Sequence, residues 1–236
     1  MAKPRVLLSW SSGKDSAWAL HVLRQQGEVE VVGLLTTLNS AACRVAMHAV
    51  REQLLDLQAA VVGLPVWKIP LSWPCSNEDY EALMSGVFDR CRVQRIDAIA
   101  YGDLFLADIR AYREARHAAT GIGLRFPLWR MPTHDLARAM LDGGLRAIIT
   151  CVDPQQLDAS FAGRDFDDAL LRDLPTPWTP AGKTASSIPS CTTGQCLRQR
   201  SRSRAGRLSS GMALCSRICF QAEARGSSVV GRTSLR

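Results

Sequence analysis

From Ser9 to Ser16 the chain reads Ser-Trp-Ser-Ser-Gly-Lys-Asp-Ser, residue types that suit phosphate chemistry. The small side chains of Ser11, Ser12 and Gly13 let backbone approach an anion closely. Hydroxyls and N–H groups at the start of a helix can cradle phosphate oxygens. Lys14 adds positive charge. Asp15 repels a bare phosphate, and makes sense beside one only if it holds Mg2+ that bridges the phosphate oxygens.

Such a loop needs a strand before it and a helix after it. Residues 5–9 form a short apolar run and are expected to be a buried strand. Helical spacing follows over 16–26 and stops at Gly27. Further strands are expected at 29–36, 66–69, 98–101 and 147–152. Further helices are expected at 45–60, 77–92 with Ser76 as N-cap, 106–120 and 133–141. This alternation predicts an α/β fold: a mostly parallel, Rossmann-like sheet flanked by helices on both faces. Ligands in such sheets bind at the carboxyl ends of the strands, so chemistry is expected in the loops after Ser9, Thr36, Tyr101 and Val152.

The first loop is not a Walker A motif, because Asp15 follows Lys14 and Leu8 stands where the first glycine belongs. It resembles the pyrophosphate-binding PP-loop, whose pattern is Ser-Gly/Ser-Gly-x-Asp-Ser after the first strand. More motifs follow in order. They are Tyr101-Gly102-Asp103-Leu104-Phe105-Leu106-Ala107-Asp108-Ile109-Arg110, then Tyr112-Arg113-Glu114 and Phe126-Pro127-Leu128-Trp129. Val152-Asp153-Pro154 and the run from Leu157 to Arg164 complete the set. From about Arg5 to Leu174 the chain thus resembles the diphthine–ammonia ligase family of PP-loop ATPases, which are adenine nucleotide alpha-hydrolase-like.

The resemblance implies an ATP-dependent C–N ligase. It would adenylate a substrate carboxylate, converting ATP to AMP and pyrophosphate, and ammonia would displace AMP to give an amide. The carboxylate would sit on a modified protein side chain, as in diphthamide synthesis, or on a small molecule. By the same resemblance Lys14, Asp15 and Asp103 are catalytic, and Asp15 holds Mg2+ with the ATP phosphates. ATP and pyrophosphate would be held by Ser9, Ser11, Ser12, Gly13, Lys14, Asp15, Ser16, Thr36, Thr37 and Gly102. Arg110, Arg113 and Glu114 would contact substrate. Plainer readings stand beside these: a Gly-Asp turn at Asp103, strand termination at Thr36 and Thr37, and a solvated helix face carrying an Arg110–Glu114 pair. His48 and His117 are expected on helix surfaces, and Trp67, Trp73 and Trp129 as core or loop anchors.

Composition narrows the alternatives. The chain has 236 residues, 47% of them hydrophobic, enough for a real core. No apolar run approaches the roughly 18–20 residues of a membrane span, and the first residues lack a secretory layout, so the cytoplasm is expected and a membrane partner is not. The net charge of +7 is uneven. Through Pro177 there are 19 basic and 21 acidic residues; beyond it there are 10 basic residues and Glu223 as the only acid. The body is therefore not a basic nucleic-acid-binding domain. The eight cysteines make no Cys-x-x-Cys pair, so zinc spacing is poor and free thiols are expected.

The text changes character at Trp178: Leu197 to Arg207 is rich in Arg and Ser, and hydrophobic periodicity fades. The family's usual continuation, like Val-Asp-Pro-Cys-Gly-Glu-Asn-Gly-Glu-Phe-His-Thr-Phe, is absent. Back-translating Trp178 to Cys196 with GC-rich synonymous codons and prefixing one guanine recovers it. The new frame reads Val-Asp-Pro-Cys-Gly-Glu-Asn-Gly-Glu-Phe-His-Thr-Phe-Val-Tyr-Asp-Gly-Pro-Met. The expected organisation is an ATP-binding α/β domain with the start of the family's C-terminal subdomain over 1–177, then an out-of-frame, disordered basic tail over 178–236. The missing motif carries two carboxylates and a histidine, so the chain as written would lack part of its substrate side. Two other functions compete. PP-loop tRNA thiolation usually needs a cysteine pair and an RNA-binding module, and neither is evident. Nucleic-acid binding through the tail would draw on counterion release, but with Trp178 and Phe220 as its only aromatics the tail has little for base stacking.

Overall fold

The computed structural model describes residues 2–47, 49–152, 157–175 and 219–223. Strand β1 (Arg5–Ser9) lies inside a six-stranded sheet. On one side β2 (Glu30–Asn39) runs parallel to it, with β4 (Val66–Leu71) parallel beyond. On the other side β5 (Ala98–Ala100) and then β6 (Gly123–Arg125) run parallel. A two-residue strand, β3 (Arg44–Val45), pairs antiparallel with the end of β2. The chain winds outward from β1 to β4, then returns to the other side of β1 and starts again at β5. The direction of winding thus reverses between β1 and β5, which is where doubly wound sheets open a crevice for ligands. The mostly parallel, Rossmann-like sheet expected from the alternation is present.

Both faces of this sheet are covered. Val6 and Leu8 pack on one side with residues of α1 (Lys14–Gln26), α2 (Glu52–Val62) and α5 (Thr133–Asp142). Leu7 points to the other side and packs with α3 (Asn77–Val93). All three β1 side chains are buried, which is why the strand reads as an unbroken apolar run. Each contributes roughly 1.5–3 kcal/mol of hydrophobic burial. Helix α4 (Ala107–His117) lies on the α3 side, where Phe88 meets its last residue. Ser76 caps α3 as expected, its hydroxyl accepting the Asp79 N–H at 3.0 Å. Among the described residues no helix is long and apolar enough to cross a membrane.

Three local expectations fail for physical reasons. The helix expected over 45–60 begins only at Glu52. Cys43 and Ala49 both take positive φ, 52° each, and turn the segment back so that Val45 pairs with Leu38 and donates its N–H to the Val50 carbonyl. Helical spacing in that stretch reflected burial of Val45 in a strand, not a helix face. Strand β6 was not expected, because Gly123-Leu124-Arg125 is too short to show a period; backbone pairing with β5 makes it. Helix α4 stops at His117 instead of Thr120, whose hydroxyl turns back onto the His117 carbonyl at 2.8 Å.

The expected strand near 147–152 forms as β7 (Arg146–Cys151), outside the main sheet. Helix α6 (Asp168–Asp173) follows, capped by Asp167. β7 pairs antiparallel with β8 (Cys219–Glu223), a short strand within the stretch expected to be disordered. The rest of 178–236 lies outside the described residues, as do His48, Asp153 and Pro154.

Candidate functional site

The loop after β1 is pinned at its first residue. The Trp10 N–H donates to the Leu35 carbonyl at 2.8 Å, and its indole N–H donates to Gln58 Oε1 at 3.0 Å. The buried Thr36 hydroxyl donates to the Trp10 carbonyl at 2.8 Å, so Thr36 ties the end of β2 to this loop. Thr37 is half-buried, and its carbonyl accepts the Ala46 N–H. Ser9, half-buried, ends β1 opposite Leu35.

Beyond Trp10 the loop gathers donors. Ser12 takes φ +63°, a conformation sparsely occupied by residues other than glycine, and its hydroxyl is buried without a hydrogen-bond partner. A buried hydroxyl left unpaired costs about 1–3 kcal/mol, so such a group marks a place where a ligand can supply the missing bond. Gly13 is the N-cap of α1 and has no side chain to cap it. The first intrahelical bond runs from Ala17 N–H to the Gly13 carbonyl, so the N–H groups of Lys14, Asp15 and Ser16 precede it. The Ser16 hydroxyl donates to the Gly13 carbonyl at 2.9 Å and accepts from Ser11 at 3.3 Å. Lys14 is buried, 3% exposed, with its ammonium 2.7 Å from Asp15 Oδ1. An orphan hydroxyl, a helix start without a side-chain cap and a buried cation are the complement of phosphate oxygens. Asp15 is a single carboxylate, which fits Mg2+ shared with those oxygens rather than held by protein alone. Among the described residues no group of three or more His, Cys, Asp or Glu could hold a metal.

The loop after β5 faces this one across the crevice. A Cβ on Gly102 would stand 3.1 Å from the Asp15 carbonyl oxygen, so glycine there lets the end of β5 seat against the first turn of α1. Asp103 follows, 19% exposed, and accepts the Arg113 Nε–H at 2.8 Å. Burial is the largest single influence on Arg113 and works against its charge, but Asp103, Tyr101 and Tyr80 together outweigh it and the guanidinium pKa rises. Arg113 also lies 3.8 Å over the Tyr101 ring.

The structure therefore splits the expected substrate trio. Arg113 pairs with Asp103 just after β5 and lines a cavity between α3 and α4. Arg110 and Glu114 pair with each other at 2.7 Å along α4, with the Arg110 guanidinium laid over Phe126 and Trp129 at 4.9 and 4.7 Å. His117 is not on a surface: it is buried, between Tyr101, Phe88 and the Ile122 carbonyl. One signal for this was available. His117 lies four residues after Arg113, so the two share a helix face, and a face that turns Arg113 in toward Asp103 also buries His117. Gln58 was missed as well, and α2 brings its amide to the loop only through tertiary packing. Trp67 is a core residue as expected, while Trp73 and Trp129 are half-buried. Of the cysteines, Cys43 is exposed, Cys75 half-buried and Cys91 buried, all as free thiols; burial pushes the Cys91 thiol up to about 11.

No curated protein matches the chain. Among solved structures, a predicted subunit of tRNA methyltransferase from Methanocaldococcus jannaschii is similar over 55% of this chain and 70% of its own, at 16% identity and a TM-score of 0.36. That likeness is too distant to inform function. The family model described as the diphthamide synthase N-terminal domain matches residues 4–122, which is half of the chain and takes in both loops of the crevice. The chain belongs to this diphthamide synthase N-terminal domain family, a family of PP-loop ATPases that implies use of ATP.

Proposed function

We propose that the chain binds Mg-ATP in the β1–β5 crevice and uses it to activate a carboxylate for amide formation with ammonia. The observation that supports this most is the donor-rich loop with its orphan Ser12 hydroxyl, set against the Gly102-Asp103 turn. Ser11, Ser12, Gly13 and the first N–H groups of α1 hold the β- and γ-phosphates, and Lys14 neutralises them. Ser9, Ser16, Thr36 and Thr37 shape the floor and the adenosine side. Mg2+ on Asp15 would spread the charge of departing pyrophosphate. A carboxylate oxygen attacks the α-phosphorus, the bond to pyrophosphate breaks, and the acyl group leaves AMP when ammonia attacks its carbonyl carbon and loses a proton. Asp103, anchored by Arg113, works on the substrate side of the loop.

The substrate side is completed by a segment that this chain does not carry in frame. One base is missing near Pro177, in the gene or its record, and the basic tail is a by-product of the shifted frame. Sequencing the coding DNA across Leu174 to Thr184 tests the record. A paired assay tests function: the written chain and a frame-restored chain are given ATP, ammonium and a panel of carboxylates, and products are followed by phosphorus NMR. AMP and pyrophosphate from the restored chain, with none from the written one, support the reading. ADP and orthophosphate from either would contradict it.

A further inference from the structure

The Asp103–Arg113 pair rests on buried contacts that ATP chemistry leaves unexplained. The Arg113 guanidinium lies 3.8 Å over the Tyr101 ring. The Tyr101 hydroxyl lies 3.2 Å from His117 Nε2, and His117 Nδ1 lies 3.0 Å from the Ile122 carbonyl. A carbonyl only accepts, so Nδ1 carries the proton, and Nε2 of the uncharged ring accepts from the Tyr101 hydroxyl. Tyr101, His117 and Phe88 are 4, 5 and 7% exposed, with Phe88 set edge-on to the imidazole at 4.7 Å. These rings cannot shift without opening the packing between α3 and α4.

We propose that Tyr101 and His117 are positioning residues that fix Arg113, and through it Asp103, against the phosphate loop. This deepens the function proposed above and rests on its reading of Asp103 as a site residue. The chain of contacts also favours one protonation state. A proton on Nε2 would reverse this bond and turn the Tyr101 hydroxyl from donor to acceptor, away from its present orientation. The groups around the imidazole do not welcome it. Arg113 on the same helix is cationic, the end of β5 presents the Tyr101 hydroxyl, the approach to β6 presents the Ile122 carbonyl, and α3 presents Phe88. Across the adjoining cavity of about 180 Å³, Tyr80 and Tyr112 are neutral and Glu81 is already paired with Arg116. Burial, with help from Arg113, accordingly holds the His117 pKa below its usual value, against the pull of the Ile122 carbonyl.

The test is NMR of the arginine Nε–H and histidine ring nitrogens on the full chain. In the wild type at neutral pH, a resolved Arg113 signal is expected away from the free-arginine position, with His117 protonated at Nδ1. Acidification should move the Arg113 signal with the same midpoint as His117. Tyr101→Phe, which keeps the ring but removes the hydroxyl, should shift Arg113 toward the free position and raise the His117 midpoint. His117→Leu should shift Arg113 likewise, whereas His117→Gln, whose amide oxygen can accept from Tyr101, should restore it. A merely structural role would move melting temperatures without this pattern. An Arg113 signal indifferent to Tyr101→Phe, or one that ignores the His117 titration in the wild type, overturns the proposal. Calorimetry with Mg-ATP on the same samples separates the two readings. A wild type that shows the linked signals but binds no ATP sinks the ATP reading and leaves the positioning assignment standing.

Discussion

The two loops that meet in the crevice are made of different material. The β1 loop works through its backbone: a positive-φ serine, an uncapped helix start and small side chains, all within eight residues. The β5 side works through side chains drawn from a strand end, a helix and a following turn, with Arg113 reaching ten residues back to Asp103. Backbone sites are stiff because a helix and a strand fix every atom. Side-chain sites depend on buried supports such as Tyr101, so they are the part that pH and single substitutions can loosen.

That contrast orders the expected effects. Lys14→Ala removes the buried ammonium and leaves Asp15 unpaired, and AMP formation by the frame-restored chain should fall about a hundredfold or more. Gly102→Val drives a branched side chain into the Asp15 carbonyl, and calorimetry should show roughly tenfold weaker Mg-ATP binding. Arg113→Lys keeps the charge but loses the Nε–H bond to Asp103; turnover should fall several-fold to about tenfold, with ATP affinity nearly unchanged. Equal losses in ATP affinity from Arg113→Lys and Gly102→Val would erase the distinction between the two sides. Gly143→Ala serves as a control away from the crevice. Its Cβ would come within 2.8 Å of Trp18 Cζ3, so unfolding should show a loss of about 1–3 kcal/mol with ATP affinity retained.

The smallest effect is on stability against pH. His117 has a folded-state pKa below its ordinary 6.5, so the unfolded chain takes up the proton first on acidification. The contribution of His117 is whole above about pH 6.5 and is lost progressively below it, until the folded chain protonates too. Melting temperature should therefore decline from pH 7 toward pH 5, and His117→Gln should flatten that decline. A decline as steep in His117→Gln as in the wild type would assign it elsewhere.

The sequence was legible where information is local. β1, the Ser76 cap and the loop from Ser9 to Ser16 stand where spacing put them, because each depends on neighbours within a few residues. Alternation and a general rule about doubly wound sheets predict only a mostly parallel sheet with chemistry at its strand ends; the strand order, and the meeting of Gly102 with Asp15, depend on tertiary packing. His117 was misplaced because its one mark, the helix face it shares with Arg113, shows burial only once Arg113 is itself turned in toward Asp103. The turn at 43–51 was misread because Val45 and Val50 are apolar for a strand and its return, which at that spacing imitates a helix.

The central claim is that the Ser9–Ser16 loop is a phosphate site that works with Asp103. Its most direct test is calorimetric titration of Mg-ATP and of magnesium pyrophosphate into the wild type, Asp15→Asn and Asp103→Asn. Saturable binding of both ligands by the wild type is expected, weakened for both by Asp15→Asn and for neither by Asp103→Asn. Absence of saturable binding by the wild type, or indifference to Asp15→Asn, would contradict the account.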